Sequence, residues 1–115
     1  MQLLVLILNK TECLHGILAG FLDGGIKSST IYDSMGMLQY IGHDTAEPPP
    51  MFGMLRQYLN PDHETSKTVL TLLHEDQVGT AINIINKETG GLDRAGVGVA
   101  FTVPVGHTFG IRGEK

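Results

Sequence analysis

There is no tryptophan in this chain, aromatic residues make up only 6% of it, and cysteine occurs once. The core must therefore be built from Leu, Ile, Val and Met. The single thiol, Cys13, excludes an intrachain disulfide and suits a reducing compartment, so a cytoplasmic setting is expected. Charge is sparse too. Charged residues are 17% of the total, with 8 Lys and Arg against 12 Asp and Glu, a net charge of −4. That balance supplies no basic field for nucleic acid. Apolar runs are short as well: the opening MQLLVLIL stops at Asn9-Lys10, well under the length needed to span a bilayer. It has neither the basic n-region nor the cleavage site of a secretory signal. Neither nucleic acid nor membrane insertion is expected, and no repeat, heptad or low-complexity tract is present.

What remains is a 115-residue chain with 42% apolar residues and 15 Gly, suited to one compact domain with several tight turns. The run from Gln2 to Leu8 predicts a buried strand. Thr11 is placed as the N-cap of a helix whose apolar face is Leu14, Ile17, Leu18, Phe21 and Leu22, with Gly24 as its left-handed terminator. Thr30, Ile31 and Tyr32 predict a second strand from about Ser28 to Met37.

From Leu38 to Ser66 the pattern breaks. His43-Asp44-Thr45-Ala46-Glu47 before Pro48-Pro49-Pro50 excludes helix and central strand, while Met51, Met54, Leu55, Tyr58 and Leu59 predict a short amphipathic helix. Lys67 to Leu73 is a third strand. His74-Glu75-Asp76 opens a second helix with Val78, Ala81, Ile82 and Ile85 inward, and Gly90-Gly91 closes it. Val97 to Val105 is the fourth strand.

Strand, helix, strand, insertion, strand, helix, strand is the order of an α+β ferredoxin-like βαββαβ sandwich, an antiparallel four-stranded sheet with two helices on one face. Leu18 and Ile82 are expected to be nearly fully buried under those helices. Strands this apolar imply cover on both faces, which one layer of helices cannot provide, so oligomerisation through the open face is expected.

At this point the chain resembles the PII (nitrogen-regulatory) signalling proteins. The likeness runs through MQLLVLILNKTE, GFLDGGI, STIYDSMG and KTVLTLLHEDQVGTAINIINKETG to GVGVAFTVPVGHTFGIRGEK. It implies a homotrimer holding ATP or ADP in clefts between subunits and signalling to a protein partner through a long loop, here residues 38–66. By the same likeness Gly96 and Gly98 match the phosphate-cradling glycines, and Arg94 falls where many members carry a basic residue. Arg112 matches a C-terminal arginine that reaches the phosphates, and Gln39 matches the glutamine at the root of the loop. The chain departs from the family at two cations: Val99 stands where the family has Lys, and Gly110 where it has the first Arg. Each charge-assisted phosphate contact is worth roughly 1.5–3 kcal/mol. ATP is therefore expected to bind weakly or not at all, and a smaller anion is the better ligand.

Nothing points to catalysis: there is no nucleophile elbow, local Cys–His signature or P-loop. His15, His43, His63, His74 and His107 share no metal-ligand spacing. The rival expectation is a metal-binding trimer of the same fold resembling the divalent-cation-tolerance proteins; a ligand-free, partner-binding scaffold is another. The stripe Met51, Phe52, Met54, Leu55, Tyr58 and Leu59 suits either a sheet edge of the chain's own trimer or an adaptable docking surface.

Overall fold

The computed structural model describes residues 1–44 and 65–111, with the backbone alone for 42–44. Strand β1 spans Gln2–Leu8, helix α1 Leu14–Asp23, strand β2 Thr30–Ser34 and helix α2 Met37–Asp44. After the undescribed stretch come β3 at Ser66–Leu73, α3 at Val78–Thr89 and β4 at Gly98–Pro104. The strands form one antiparallel sheet in the order β2-β3-β1-β4. The fold is thus α+β, with the ferredoxin-like βαββαβ topology that the order of elements predicts.

The core lies between the sheet and helices α1 and α3. Leu4, Leu6 and Leu8 of β1 and Val69 and Leu73 of β3 meet Ile17 and Phe21 of α1 and Ala81 and Ile85 of α3. The alternation along β1 follows from the two-residue period of a strand. On the helices the buried positions are Ile17–Phe21 and Ala81–Ile85–Thr89, four residues apart and so on one line of the helix surface. Leu18 and Ile82 correct the expectation of near-complete burial. Each lies one position further round, on the flank of its helix, and is only half-buried against the core. Leu22 is 65% exposed and takes no part in the core.

The two helices lie close together because α1 carries glycines where they meet. A Cβ on Gly20 would come within 2.6 Å of the Ile84 side chain, and one on Gly16 would fall on the Glu88 carboxylate. The helix ends also differ from expectation. Thr11 begins a 3-10 turn, Thr11–Cys13, and is not an N-cap; Lys10 occupies the cap position and no side chain caps the turn. Gly24 has φ −85°, and the left-handed residue is Gly25 at φ 89°. Ile26 then returns to the core, its N–H on the Phe21 carbonyl at 2.8 Å. Strand β2 is shorter than predicted. It ends at Ser34, and residues 37–44 are helical, including His43 and Asp44, the two of them at which the sequence pattern argued against helix. The prolines that suggested a break begin at Pro48 and leave the preceding turns free to coil. The short helix expected over 51–59 lies outside the described residues.

Among the described residues the second sheet face is bare along β4 and at Leu72, while Ser66 and Thr68 at the start of β3 are buried. The register places Leu3, Leu72 and Val103 in one row, Val5, Leu70 and Phe101 in the next, and Ile7, Thr68 and Val99 in a third. On β4 that face is open to solvent, with Val99 51%, Phe101 47% and Val103 44% exposed. Strand β2, at the other edge, is exposed on both faces at Ile31 and Tyr32. Its Asp33 pairs with Lys67 of β3, a surface ion pair worth about 0–1 kcal/mol.

Candidate functional site

Antiparallel pairing puts the end of β1, the end of β2, the start of β3 and the start of β4 at one end of the sheet, since Leu8 opposes both Lys67 and Gly98, and Ser34 opposes Ser66. The segment entering β4 is built there. Helix α3 ends at the left-handed Gly90 (φ 88°), whose N–H reaches the Asn86 carbonyl at 3.0 Å. The Asn86 side chain accepts from the Leu92 N–H at 2.9 Å, and the Arg94 N–H closes a turn onto the Gly91 carbonyl at 3.2 Å. Thr89, buried, donates to the Ile85 carbonyl at 2.7 Å and accepts from the Gly91 N–H at 3.2 Å. The buried Val97 fixes the far end, its carbonyl accepting from the N–H groups of Asn9 and Lys10 at 2.9 and 3.1 Å.

Arg94 is exposed beside the C-terminus of α3, close enough that a Cβ on Gly90 would sit 3.8 Å from its guanidinium. A cation there also complements the helix dipole. Lys10 is a second cation at this corner. Its ammonium donates to the Thr89 carbonyl at 3.1 Å. Sequence reasoning passed over Lys10; the available signal was its place immediately after β1, facing the segment that feeds β4.

Gly96 and Gly98 have different reasons to be glycine. At Gly96 φ is 80° and a Cβ would meet only open space, so backbone conformation alone demands it. At Gly98 a Cβ would fall on the Ile7 carbonyl oxygen and 3.1 Å from Leu8 Cα. Close approach of β4 to β1 therefore accounts for Gly98 without a ligand. Its neighbour Val99 projects onto the bare sheet face beside Ile7.

Gln39 sits in the first turn of α2, and its side-chain oxygen accepts from the Gly36 N–H at 3.3 Å. It thus satisfies an orphan donor at the helix start, half of a capping box. Beside it on β2 and β3, the Ser34 hydroxyl bridges those of Ser66 and Thr68, each at 2.7 Å.

The structure brings Arg94, Gly96 and Gly98 together and adds Lys10. Gln39 belongs to the helix that follows β2, the opposite edge strand, where that strand ends at the same end of the sheet. With β3 and β1 between β2 and β4, three interstrand spacings separate the edges by about 14 Å. Arg112 is outside the described residues. Ile111, just before it, lines a cavity with Leu70, Leu72 and His74 at the other end of the sheet, a strand length of roughly 20 Å from Gly98. Within one chain the four described candidates are thus not a single site.

Among the described residues no group of three His, Cys, Asp or Glu could hold a metal ion. Cys13 is half-buried against the core, as a small apolar residue would be. No helix among the described residues is long and apolar enough to cross a membrane. No family model matches the chain, and no curated protein matches it.

Proposed function

We propose that the chain is a PII-like regulatory protein that acts as a homotrimer in the cytoplasm and binds a small anionic ligand in clefts between subunits. It works by binding, not turnover, and passes the ligand state to a protein partner through residues 38–66. The observation that carries this reading is the placement of the candidates at opposite edges of one end of the sheet. Gln39 comes shortly after β2, the strand at one edge, in the helix that follows it; Arg94, Gly96 and Lys10 lie beside the start of β4, the strand at the other. A head-to-tail ring, in which the β2 edge of one copy meets the β4 edge of the next, would join the two half-sites. The bare face bearing Val99, Phe101 and Val103 supplies apolar area for such an assembly.

The ligand is a small anion, not a triphosphate. Lys10 and Arg94 are the cations at the β4 half-site; Val99 adds none there and Gly110 lies at the far end of the sheet. Light scattering tests the assembly: a mass of about three times the 12.4 kDa chain is expected, and a monodisperse monomer at micromolar concentration would remove both trimer and cleft. A thermal-shift panel of nucleotides, 2-oxoglutarate, bicarbonate and divalent metals tests the ligand, because whatever binds only the folded state raises the melting temperature.

A further inference from the structure

The loop from α3 into β4, residues 90–97, is hard to hold in one shape. Gly90, Gly91 and Gly96 have φ of 88°, 123° and 80°, and glycine loses more conformational freedom on folding than any other residue. The first half of the loop is tied to its own helix. There the Gly91 N–H rests on the Thr89 hydroxyl and the Leu92 N–H on the Asn86 side chain. The far end is held from β1, where the buried Val97 offers its carbonyl to Asn9 and Lys10.

Lys10 meets both ends of this loop. Its backbone N–H donates to the Val97 carbonyl at 3.1 Å, and its ammonium donates to the Thr89 carbonyl at 3.1 Å, just before the loop begins. The Lys10 carbonyl accepts from the Cys13 N–H at 3.0 Å, which fastens the residue to the 3-10 turn ahead of α1.

Thr89 is the last residue of α3. Its carbonyl is therefore one of those that a helix end leaves without an intrahelical partner, and it lies at the negative end of the helix dipole. A cation suits that position, and Lys10 is half-buried there, where a charge-assisted bond is stronger than a neutral one.

We infer that Lys10 is the clasp of the 90–97 loop, a positioning residue that sets where the Gly96 backbone and Arg94 are presented. A loop closed at both ends by one residue has less freedom left to lose when a ligand binds to it. That consequence rests on the anion site proposed at Gly96; the clasp holds the loop with or without a ligand.

Amide hydrogen exchange on the full ¹⁵N-labelled chain tests the clasp with no ligand present. In Lys10→Met, exchange at Gly91, Leu92 and Arg94 is expected to quicken roughly tenfold, the effect of losing one charge-assisted hydrogen bond. Core amides such as those of Leu6 and Val69 should keep their protection. Lys10→Arg, which retains a charged donor, should recover most of the loop's protection. Lys87→Met removes a different cation from the last turn of the same helix and should leave the loop amides unchanged. Unchanged loop exchange in Lys10→Met would overturn the inference. So would equal quickening in Lys87→Met, or quickening spread evenly over the core. Inorganic phosphate titrated into the same samples separates the clasp from the cleft. A loop that quickens in Lys10→Met, with no phosphate shifts at 94–98 in wild type, would uphold the clasp and count against the proposed anion site alone.

Discussion

Replacing Gly98 by alanine separates a structural glycine from a ligand-cradling one. Two costs are imposed at once. The residue sits at φ 151°, outside the range that side-chain-bearing residues prefer, and the new Cβ collides with the Ile7 carbonyl oxygen and approaches Leu8 Cα to 3.1 Å. The obstacle is backbone and not the end of a flexible side chain, so relief requires β4 to move away from β1 at the start of their ladder. Backbone strain of this kind costs on the order of 1–3 kcal/mol, and overpacking a further 1–3 kcal/mol. A total near 3 kcal/mol is a large share of the roughly 5–15 kcal/mol that holds a domain of this size together.

Urea denaturation of wild type, Gly98→Ala and Gly96→Ala reads this directly. Gly98→Ala should lower the midpoint at unchanged slope. Its melting temperature should fall by roughly 10–20 °C. Gly96→Ala, strained at φ 80° but facing open space, should cost only about 1 kcal/mol. A Gly98→Ala variant within about 0.5 kcal/mol of wild type would refute the β1–β4 register at this point, since changes that small belong to unconstrained surface sites. A loss of anion binding with stability intact would return Gly98 to the ligand.

In the core, Ile17→Ala and Ile85→Ala should each cost roughly 2–5 kcal/mol in urea, whereas Leu22→Ala, on an exposed position, should stay within about 0.5 kcal/mol. On the bare face, Phe101→Asp should convert the assembly to folded monomer by light scattering with an unchanged far-ultraviolet spectrum; retention of the full mass would exclude that face from the interface. Titration calorimetry with Mg-ATP should show no low-micromolar binding. A dissociation constant in that range would mean that Lys10, Arg94 or a neighbouring copy replaces the cations absent at Val99 and Gly110.

Much of the fold was legible because long periodic segments carry their own signal. The apolar Leu3 to Leu8, the four-residue spacing of Ile17 and Phe21, and the Gly90-Gly91 stop gave the elements in the right order. The errors came where several solutions satisfy the same pattern. Leu14, Ile17, Leu18, Phe21 and Leu22 form a stripe wider than the sheet can cover, and only packing decides that Ile17 and Phe21 are its centre. The approach of α1 to α3 through Gly16 and Gly20 has no local signature, because it depends on Ile84 and Glu88 more than sixty residues away. Likewise Lys10 reads as the polar end of a strand until the Thr89 carbonyl is placed beside it. Gln39 was singled out as a ligand contact, and the structure gives it a second occupation as the cap of a helix that the sequence pattern does not predict.

Val99 draws the candidate site and the bare face into one account. In the family this chain resembles, that position carries a cation for phosphate. Here it carries an apolar side chain that, with Ile7, adds an apolar pair at the end of the face formed by Phe101 and Val103 with Val5 and Leu3. A lysine at the margin of an apolar interface must keep its ammonium in water or on an anion, whereas valine is buried there without such a demand. On the proposed reading, valine at this position would favour assembly and weaken any triphosphate site at the β4 edge. Pairing between neighbouring copies would then rest on apolar area, and the ligand would be an anion that Lys10 and Arg94 can neutralise without a third cation. On these terms the small anion and the trimer are one proposal: the residue that limits the charge of the ligand also enlarges the surface that brings the two half-sites together.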